Sequence, residues 1–255
     1  MRSRYLDIED RTEDLSELFR EAPAVAQDFL KKYELSWVYH ENALEGVVYS
    51  SQEIAHALEN QPVAEASAMA ILRDIRNFKA AIELVRAEAS AKRPKISLAL
   101  VKELYATLHA GVESKAGAEF RKDIPLHRAY FHEIAQPAKI APLMTKLMEW
   151  CDSADFRSGH PIQNASKLQH GFMQIYPYTD GSGKIARLLS NVLLIHHGYQ
   201  PLIIHTIDRQ RYYESLRLPE PQLRDLIIES MENSVANGEK FFRLAMAARA
   251  KKGAS

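Results

Sequence analysis

The segment DGSGKIAR, Asp180 to Arg187, has the residue types of an anion-binding loop. Gly181 and Gly183 can adopt positive φ, which lets neighbouring backbone N–H groups point into one concavity. A helix that opens near Gly183 adds its unpaired first-turn N–H groups and the positive end of its dipole. Together these features predict a nest for a negatively charged group such as a phosphate.

Charged side chains flank this nest. Lys184 and Arg187 are three residues apart, so they share one face of the predicted helix and can both lean over a bound anion. Asp180 precedes the glycines, where a carboxylate could hold a Mg²⁺ that bridges two phosphates. A nucleoside triphosphate accounts for all of these features. The other interpretation is an ordinary solvent-exposed turn between two helices, followed by surface cations.

The elements that position this loop are predicted to be helices. Helices are predicted after Ser97, which serves as an N-cap, and after Pro142. Another is predicted over 222–250, and Gly238 could interrupt that helix. The best strand signal is FRKDIPLHRAYFHEI, two short apolar arms that favour a hairpin weakened by Pro125. The sequence therefore predicts an all-α bundle with one short β-hairpin. A long helix is predicted over 68–88 from a buried stripe at spacings of three and four, formed by Met69, Leu72, Ile75, Phe78, Ala81, Ile82 and Val85.

The composition narrows the class of protein. Lys and Arg total 33, Asp and Glu total 33, and the formal net charge of +0 provides no global basic field for nucleic acid or anionic membranes. Cys151 is the single cysteine, so no internal disulfide can form. No apolar run reaches the roughly 18 residues of a membrane span, and the N-terminus lacks a signal-peptide pattern. We expect a cytoplasmic protein with no nucleic-acid and no membrane partner.

The motif YPYTDGSGKIAR, residues 176–187, is accompanied by ENALEGVVYSSQEI, AILRDIRNFKAAIELV, EFRKDIPLHRAYF and GYQPLIIHTIDRQRYYESL. The motif resembles the signature loop of the Fic (filamentation induced by cAMP) family, His-Pro-Phe-x-Asp/Glu-Gly-Asn-Gly-Arg/Lys-x-x-Arg. The first accompanying segment is similar to that family's inhibitory segment, Ser/Thr-x-x-x-Glu-Gly/Asn. The third lies where the family has a target-docking flap. The resemblance covers roughly Tyr33 to Leu216, in the family's order.

This resemblance implies a Fic-type helical bundle with a β-hairpin flap, and an adenylyltransferase activity. ATP and Mg²⁺ would bind the loop, a hydroxyl of a target protein would attack the α-phosphate, and pyrophosphate would leave. Asp180 would hold the metal, and Arg187 would neutralise charge on the γ-phosphate and the leaving pyrophosphate. A target protein would dock at the flap as an added strand. The nucleotide would be bound by Gly181, Ser182, Gly183, Lys184 and Arg187.

The resemblance also divides the chain into three parts. An N-terminal helical extension covers 1–32, a Fic-like domain covers 33–217, and a C-terminal helical segment covers 218–255. The sequence does not name the target protein, and a homo-oligomer is left open. The Fic-like domain would contain the inhibitory segment 41–46, the flap 121–134 and the signature loop 176–187.

Three residues depart from the family's signature. Tyr176 stands where the family has its general base, a histidine, and an unperturbed phenol of pKa about 10 is ionised in about one molecule in a thousand at pH 7. As a simple base it would forfeit about 4 kcal/mol relative to an imidazole. Ser182 replaces an asparagine, and Lys184 lacks the planar fork of the frequent arginine. Nucleotide binding is expected to survive these changes better than catalysis.

The segment SWVYHENALEGV places Glu41 and Glu45 four residues apart on one helix face, ahead of Gly46 as a helix stop. Without the family, these would be two solvated carboxylates. With it, Glu45 matches the inhibitory glutamate, which pairs with the signature arginine, here Arg187, and occupies the γ-phosphate site. Glu41 stands where the family has Ser or Thr, and its charge is expected to crowd Glu45 rather than to hydrogen-bond the segment.

Three functions therefore compete. They are a protein adenylyltransferase with Tyr176 and Arg187 as atypical catalytic residues, a nucleotide-binding regulator without turnover, and a hydrolase in which Glu45 activates water to remove AMP from a modified protein. His170 lies six residues before Tyr176, an offset that does not share a helix face, so it is not expected to replace the missing base. Other histidines, expected to be surface or satisfied core residues, are His40, His109, His127, His132, His196 and His197.

Overall fold

The computed structural model describes residues 2–59, 66–115, 117–126 and 132–253. These ranges are helical and contain no strand. None of their helices combines the length and the apolar composition that a membrane crossing requires. The helices are α1 (Arg2–Glu21), α2 (Pro23–Leu44), α3 (Ser51–Leu58), α4 (Ala66–Ala89), α5 (Leu98–Leu108), α6 (Pro137–Cys151), α7 (Ala154–Ser158), α8 (Pro161–Ile175), α9 (Ser182–His196), α10 (Arg209–Ser215) and α11 (Glu220–Gly253).

Helices α8 and α9 lie at the centre of the bundle. α9 packs against α8, α4 and α5, while α8 also packs against α11 and α6. The apolar stripe of α9 is buried, but Ser190 and Asn191 on other faces are buried too. The amide of Asn191 is satisfied by the backbone of Leu202, donating to its carbonyl at 3.0 Å and accepting from its N–H at 2.6 Å. The signature loop therefore leads into a helix that is enclosed on all sides.

The peripheral helices follow the sequence pattern with two differences. The Ser97 side chain accepts from the backbone N–H of Leu100 at 3.2 Å, as an N-cap should. The predicted stripe of α4 is buried except for Met69, which is 60% exposed. α6 begins ahead of its predicted start, at Pro137, because a proline is favoured in a first helical turn, and Pro142 lies inside the helix.

Helix α11 continues through Gly238, so the interruption that the sequence left open does not occur. A Cβ on Gly238 would lie 2.8 Å from Leu15 Cδ2 and 3.5 Å from Phe29 Cζ, so the glycine serves the close packing of α1 and α2 on α11. A bidentate ion pair, Arg4 to Glu232 at 2.7 and 2.6 Å, also holds α1 on α11. The predicted boundary between 32 and 33 would fall inside α2, and it stays a prediction.

The β-hairpin predicted for the flap, residues 121–134, is not seen. The structure describes 121–126 and 132–134 of this segment and has no strand in them, while 127–131 lie outside the described residues. Pro125 has no N–H to donate to a strand ladder, which is one physical reason. The all-α fold class is confirmed.

Candidate active site

The signature loop is a tight connection between α8 and α9. Tyr176 ends α8 with left-handed backbone angles of φ 49° and ψ 66°, and its N–H donates to the carbonyl of Phe172 at 2.8 Å. Gly181 is also left-handed, at φ +80°, and α9 begins directly after it at Ser182. Gly183 does not adopt positive φ, because it already lies in the first helical turn. The unpaired N–H groups of that turn point out of the helix end.

A carboxylate of the chain itself occupies this helix end. Glu45 follows α2, and its Oε1 lies against the position that a Cβ on Gly183 would take, so a larger residue there would have to displace the end of the Glu45 side chain. The same oxygen accepts from Nη2 of Arg187 at 2.7 Å. The glycine at 183 therefore provides space for the Glu45 carboxylate rather than positive φ, and the structure brings Glu45, Gly183 and Arg187 together.

Glu41 binds the same guanidinium at another edge. Its Oε2 accepts from Arg187 Nε at 2.7 Å, with both side chains 1% exposed. Nη1 of Arg187 donates to the Tyr212 hydroxyl at 3.3 Å. Glu41 was expected to crowd Glu45, and the Glu45 charge does raise the pKa of Glu41; the guanidinium, which was not expected to bind Glu41, lies between the two carboxylates and engages each. Burial lowers the pKa of Arg187, but Glu41, Tyr212 and Glu45 raise it to well above its ordinary value.

The other side chains that were predicted to bind phosphates have partners within the protein. Lys184 Nζ donates to Asn42 Oδ1 at 2.7 Å, and burial lowers the pKa of this lysine while Glu45 opposes that shift. The buried hydroxyl of Ser182 donates to the Tyr178 carbonyl at 2.8 Å and accepts from the Tyr178 N–H at 2.9 Å. Ser182 can therefore reach an anion only through its backbone N–H, whereas Lys184 could exchange Asn42 for a phosphate.

Asp180, the predicted metal ligand, forms an ion pair at the edge of the loop. Its Oδ2 lies 2.8 Å from Nζ of Lys115. Within the described ranges, no three His, Cys, Asp or Glu side chains come together as a metal site. Mg²⁺ is usually held by one or two carboxylates together with substrate phosphates. The single carboxylate of Asp180 therefore fits a metal that arrives with its nucleotide, provided that Lys115 moves aside.

A cavity of about 700 Å³ opens in front of the loop. Pockets of this size typically enclose small-molecule ligands and cofactors. The cavity combines an anion-binding helix end with charged groups of both signs. Its lining includes Glu45, Tyr176, Asp180, Gly181 and Lys184.

Known proteins resemble this chain in sequence and in fold. The sequence profile of the Fic/DOC family matches residues 95–194, which contain the signature loop. The chain contains a Fic/DOC domain. It is 27% identical over 217 residues to the protein adenylyltransferase Fic of Drosophila grimshawi, covering 84% of this chain and 44% of that protein. The Aedes aegypti protein of the same name is 27% identical over 190 residues, 74% of this chain and 37% of that one. This chain thus spans less than half the length of these relatives.

Solved Fic structures have the same fold. A Fic domain-containing signaling protein from Bacteroides thetaiotaomicron superposes with a TM-score of 0.77 at 20% identity, over 93% of this chain and 98% of that chain. Fic-1 from C. elegans superposes with a TM-score of 0.75 at 18% identity, over 94% of this chain and 71% of that chain. The helical Fic bundle expected from the sequence is confirmed.

The start of the predicted flap is tied to the signature loop by one buried side chain, Arg121. Nε of Arg121 donates to the carbonyl of Tyr176 at 2.7 Å, and the Arg121 N–H donates to the carbonyl of Pro177 at 2.9 Å. The guanidinium also donates to the carbonyls of Asp123, at 3.0 Å, and of Ala135. Arg121 therefore connects the start of the flap, and Ala135 directly after the flap, to Tyr176, which is 2% exposed at the cavity wall.

Several residues around the Fic loop carried no recognised sequence signal. Asn42 could have been found, since it lies three residues before Glu45 and shares its helix face. The others come from distant segments, and no spacing relates them to the loop. His170 is not among them, because its Nε2 lies 3.0 Å from the carbonyl of Leu218, beside a different cavity. The unpredicted residues are Asn42, His109, Lys115, Arg121 and Tyr212.

Proposed function

We propose that this protein is an ATP-dependent protein adenylyltransferase whose site is closed by its own helix α2. One observation carries the proposal: the carboxylate of Glu45 sits at the N-terminal end of α9, over Gly183 and bound to Arg187. A helix end that accommodates an internal carboxylate suits a phosphate once that carboxylate moves away. The name of the Drosophila and Aedes relatives supplies the reaction class.

The phosphates would bind where the internal partners now lie. Backbone N–H groups of Ser182 and Gly183 and the ammonium of Lys184 would contact them, with Gly181 leaving room for the close approach. Nη2 of Arg187 would exchange Glu45 for the γ-phosphate, while Glu41 keeps Nε. A Mg²⁺ held by Asp180 would neutralise phosphate charge. Each exchange replaces one charge-assisted hydrogen bond by another, so the free energy cost of opening is partly repaid.

In the transfer step, a hydroxyl of the target protein would attack the α-phosphorus and pyrophosphate would leave. The target segment would lie along the flap, because Arg121 ties the start of the flap, and Ala135 directly after the flap, to the carbonyl of Tyr176. The target protein and its docking site at the flap belong to this proposal. The step needs a group that takes the hydroxyl proton, and the phenol of Tyr176 is a weak base at neutral pH.

A nucleotide-binding regulator is the second candidate, and the phenol at position 176 is the observation that favours it. Without an effective base, the site would bind ATP and not turn over. A hydrolase is the third interpretation, because the side chain of Glu45 is 22% exposed at the cavity and could activate a water molecule.

Calorimetry with ATP and Mg²⁺ tests the nucleotide site. We expect Glu45→Gly to raise the affinity at least about 10-fold over the wild type, because the loss of one ion pair to a buried arginine frees Nη2 for phosphate. Glu59→Gly is the matched control, since Glu59 caps α3 as Glu45 caps α2. Equal affinities for the wild type and Glu45→Gly would show that Glu45 does not occlude the site.

Labelled ATP and a cell lysate then separate the three functions. Label transferred to protein by Glu45→Gly identifies a transferase. Saturable binding without transfer, in Glu45→Gly and in Glu45→Gly/Tyr176→His, identifies the regulator. Release of label from a target that is already modified identifies the hydrolase.

A further inference from the structure

His109 lies in the cavity beside the signature loop. It follows α5 as its C-terminal cap, and its ring packs on Tyr105 with centroids 4.3 Å apart. Cε1 and Nε2 of the imidazole lie 2.9 and 3.6 Å from the position that a Cβ on Gly181 would take. A phosphate held at the end of α9 would therefore lie close to this ring.

The hydrogen bonds of His109 define its tautomer. Nδ1 lies 2.9 Å from the carbonyl of Tyr105, and a carbonyl can only accept, so Nδ1 carries a proton. In the neutral ring the lone pair is then on Nε2. Among the described residues, no hydrogen bond to Nε2 is made. A fixed Nδ1–H with an available Nε2 lone pair is the state that a general base requires.

The surroundings keep this imidazole neutral. Burial lowers the pKa of His109 below its ordinary value. The Tyr105 carbonyl and Asp180 oppose that shift, whereas Lys115 and Lys184 reinforce it. The ring that faces the cavity at neutral pH is therefore able to accept a proton.

We propose that His109 is the general base of this Fic domain and supplies the function that Tyr176 cannot. The proposal rests on the transferase function proposed above. Nε2 of His109 takes the proton of the target hydroxyl while the oxygen of that hydroxyl bonds to the α-phosphorus. The bond from that phosphorus to the bridging oxygen of the β-phosphate breaks, and pyrophosphate leaves with the electron pair. The imidazolium afterwards returns its proton to water.

The position of the two other candidate bases supports this assignment. His170 uses Nε2 on the carbonyl of Leu218 and lines a cavity with Glu133 and Arg217. Tyr176 has a phenol in place of the imidazole. His109 brings an imidazole to the same cavity from another helix, so base and loop are supplied by α5 and by the turn before α9.

The test uses the full chain with Glu45→Gly, to which His109→Asn is added. Asparagine keeps an N–H for the Tyr105 carbonyl, but it cannot accept a proton near neutral pH. We expect the turnover number for AMP transfer to fall ~100-fold or more, because general-base contributions are of that size, while the affinity for ATP measured by calorimetry is unchanged. Adding Tyr176→His to the same protein should restore transfer, since it returns an imidazole to the loop.

His197→Asn is the matched control. His197 makes the same kind of bond, Nδ1 to the carbonyl of Leu193 at 2.9 Å, but it lines a separate cavity with Glu9 and Thr12. The double variant Glu45→Gly/His197→Asn should transfer AMP at the rate of Glu45→Gly alone.

Undiminished transfer by His109→Asn would overturn the assignment, and loss of transfer in Tyr176→Phe would then make Tyr176 the base. Weakened ATP binding by His109→Asn would also overturn it, because His109 would then be a binding residue. ATP binding without any transfer, in Glu45→Gly and in Glu45→Gly/Tyr176→His, would instead reject the transferase function, and His109 would lose its role together with it.

Discussion

Arg187 is bound by two carboxylates whose environments differ. Glu41 is 1% exposed beneath the guanidinium, whereas Glu45 is 22% exposed at the cavity. Burial raises the pKa of Glu41, and Arg187 opposes that shift. Glu45 can swing into solvent, but Glu41 has no such exit. We infer that Glu45 blocks the arginine, while Glu41 orients it.

Glu41→Gln should therefore destabilise the protein more than Glu45→Gln. Removing one charge of a buried ion pair costs about 3 kcal/mol, because Arg187 stays buried and loses its neutralising partner. The pair to Glu45 reaches the cavity, so its loss should cost less, about 1–2 kcal/mol. Urea denaturation at neutral pH measures both changes. Equal losses in the two variants would contradict the division of roles.

Gly183→Ala should abolish nucleotide binding without unfolding the protein. The new methyl group would meet Glu45 Oε1, the end of a flexible side chain that can move away, and alanine favours a helix by about 1 kcal/mol over glycine. However, the methyl group also fills the space that a phosphate needs. Glu45→Gly/Gly183→Ala should then fail to bind ATP, whereas Glu45→Gly binds it.

Calorimetry measures this affinity, and urea denaturation checks that the fold is kept. Gly171→Ala is the control, because its methyl group would approach only Leu147 Cδ1, at 3.3 Å, on the α6 side of α8. ATP binding by the double variant at the affinity of Glu45→Gly would mean that no phosphate lies at Gly183.

At the scale of elements, α2 is the helix that closes the site, and its C-terminal end is anchored on the segment that leads to α10. The rings of His40 and His205 stack with centroids 4.3 Å apart and an interplanar angle of 9°. His40 Nδ1 accepts from the N–H of Thr206 at 3.2 Å. The carbonyl of Leu44 accepts from Arg209 Nε at 2.9 Å. These contacts hold the end of α2 in the position from which Glu41 and Glu45 reach Arg187 on α9.

Lowering the pH should weaken the contacts of His40 that hold the C-terminal end of α2, before the carboxylates of the protein are fully protonated. Burial and His205 lower the pKa of His40 to about 4, from about 6.5 in the unfolded chain. The unfolded state therefore binds more protons between these values, so the stability is complete above pH 6.5 and is lost as the pH falls toward 4. We expect His40 to account for about 1 kcal/mol of that loss, after allowing for its partial exposure.

The measurement compares urea denaturation midpoints at pH 7 and pH 5. In His40→Asn, whose amide oxygen can still accept from the Thr206 N–H, the decrease between these pH values should be smaller. An identical decrease in the variant and the wild type would show that His40 does not titrate in this range.

At the scale of the whole molecule, the described residues form a main core and a small second cluster. The main core surrounds α8 and α9 and includes Tyr176. The second cluster joins α1, the start of α2 and the end of α11. Its buried members are Leu15, Val25, Ala26, Phe29 and Phe242.

Phe242→Ala should separate stability from ligand binding. Phe242 is fully buried in the second cluster, and truncation of a buried phenylalanine costs about 3–5 kcal/mol. Since the cluster does not contain any residue of the signature loop, the ATP affinity of the folded Glu45→Gly protein should stay the same. Thermal denaturation and calorimetry measure the two quantities. A parallel loss of affinity would show that the terminal helices support the site.

The sequence by itself determined the all-α class, the position of the signature loop and the end of α2 ahead of Gly46. These features depend on local interactions. Periodicity identifies helices, a serine at 97 caps one, and glycines at 46 and 181 take the positive φ values of +89° and +80° that other residues avoid. Such signals act over a few residues, and they can be read without knowing the packing.

Only the tertiary structure decided which groups meet at the site. Glu41 reaches Arg187 across 146 positions, and Asn42 reaches Lys184 across 142. His109 was expected to be a surface or satisfied core residue, yet its ring lies over Gly181. Gly183 leaves room for the Glu45 carboxylate and does not adopt positive φ. Periodicity states which face of a helix is buried, but not which neighbour covers it. The partners of each charged group depend on how α2, α5 and α9 pack, and that is a property of the folded chain.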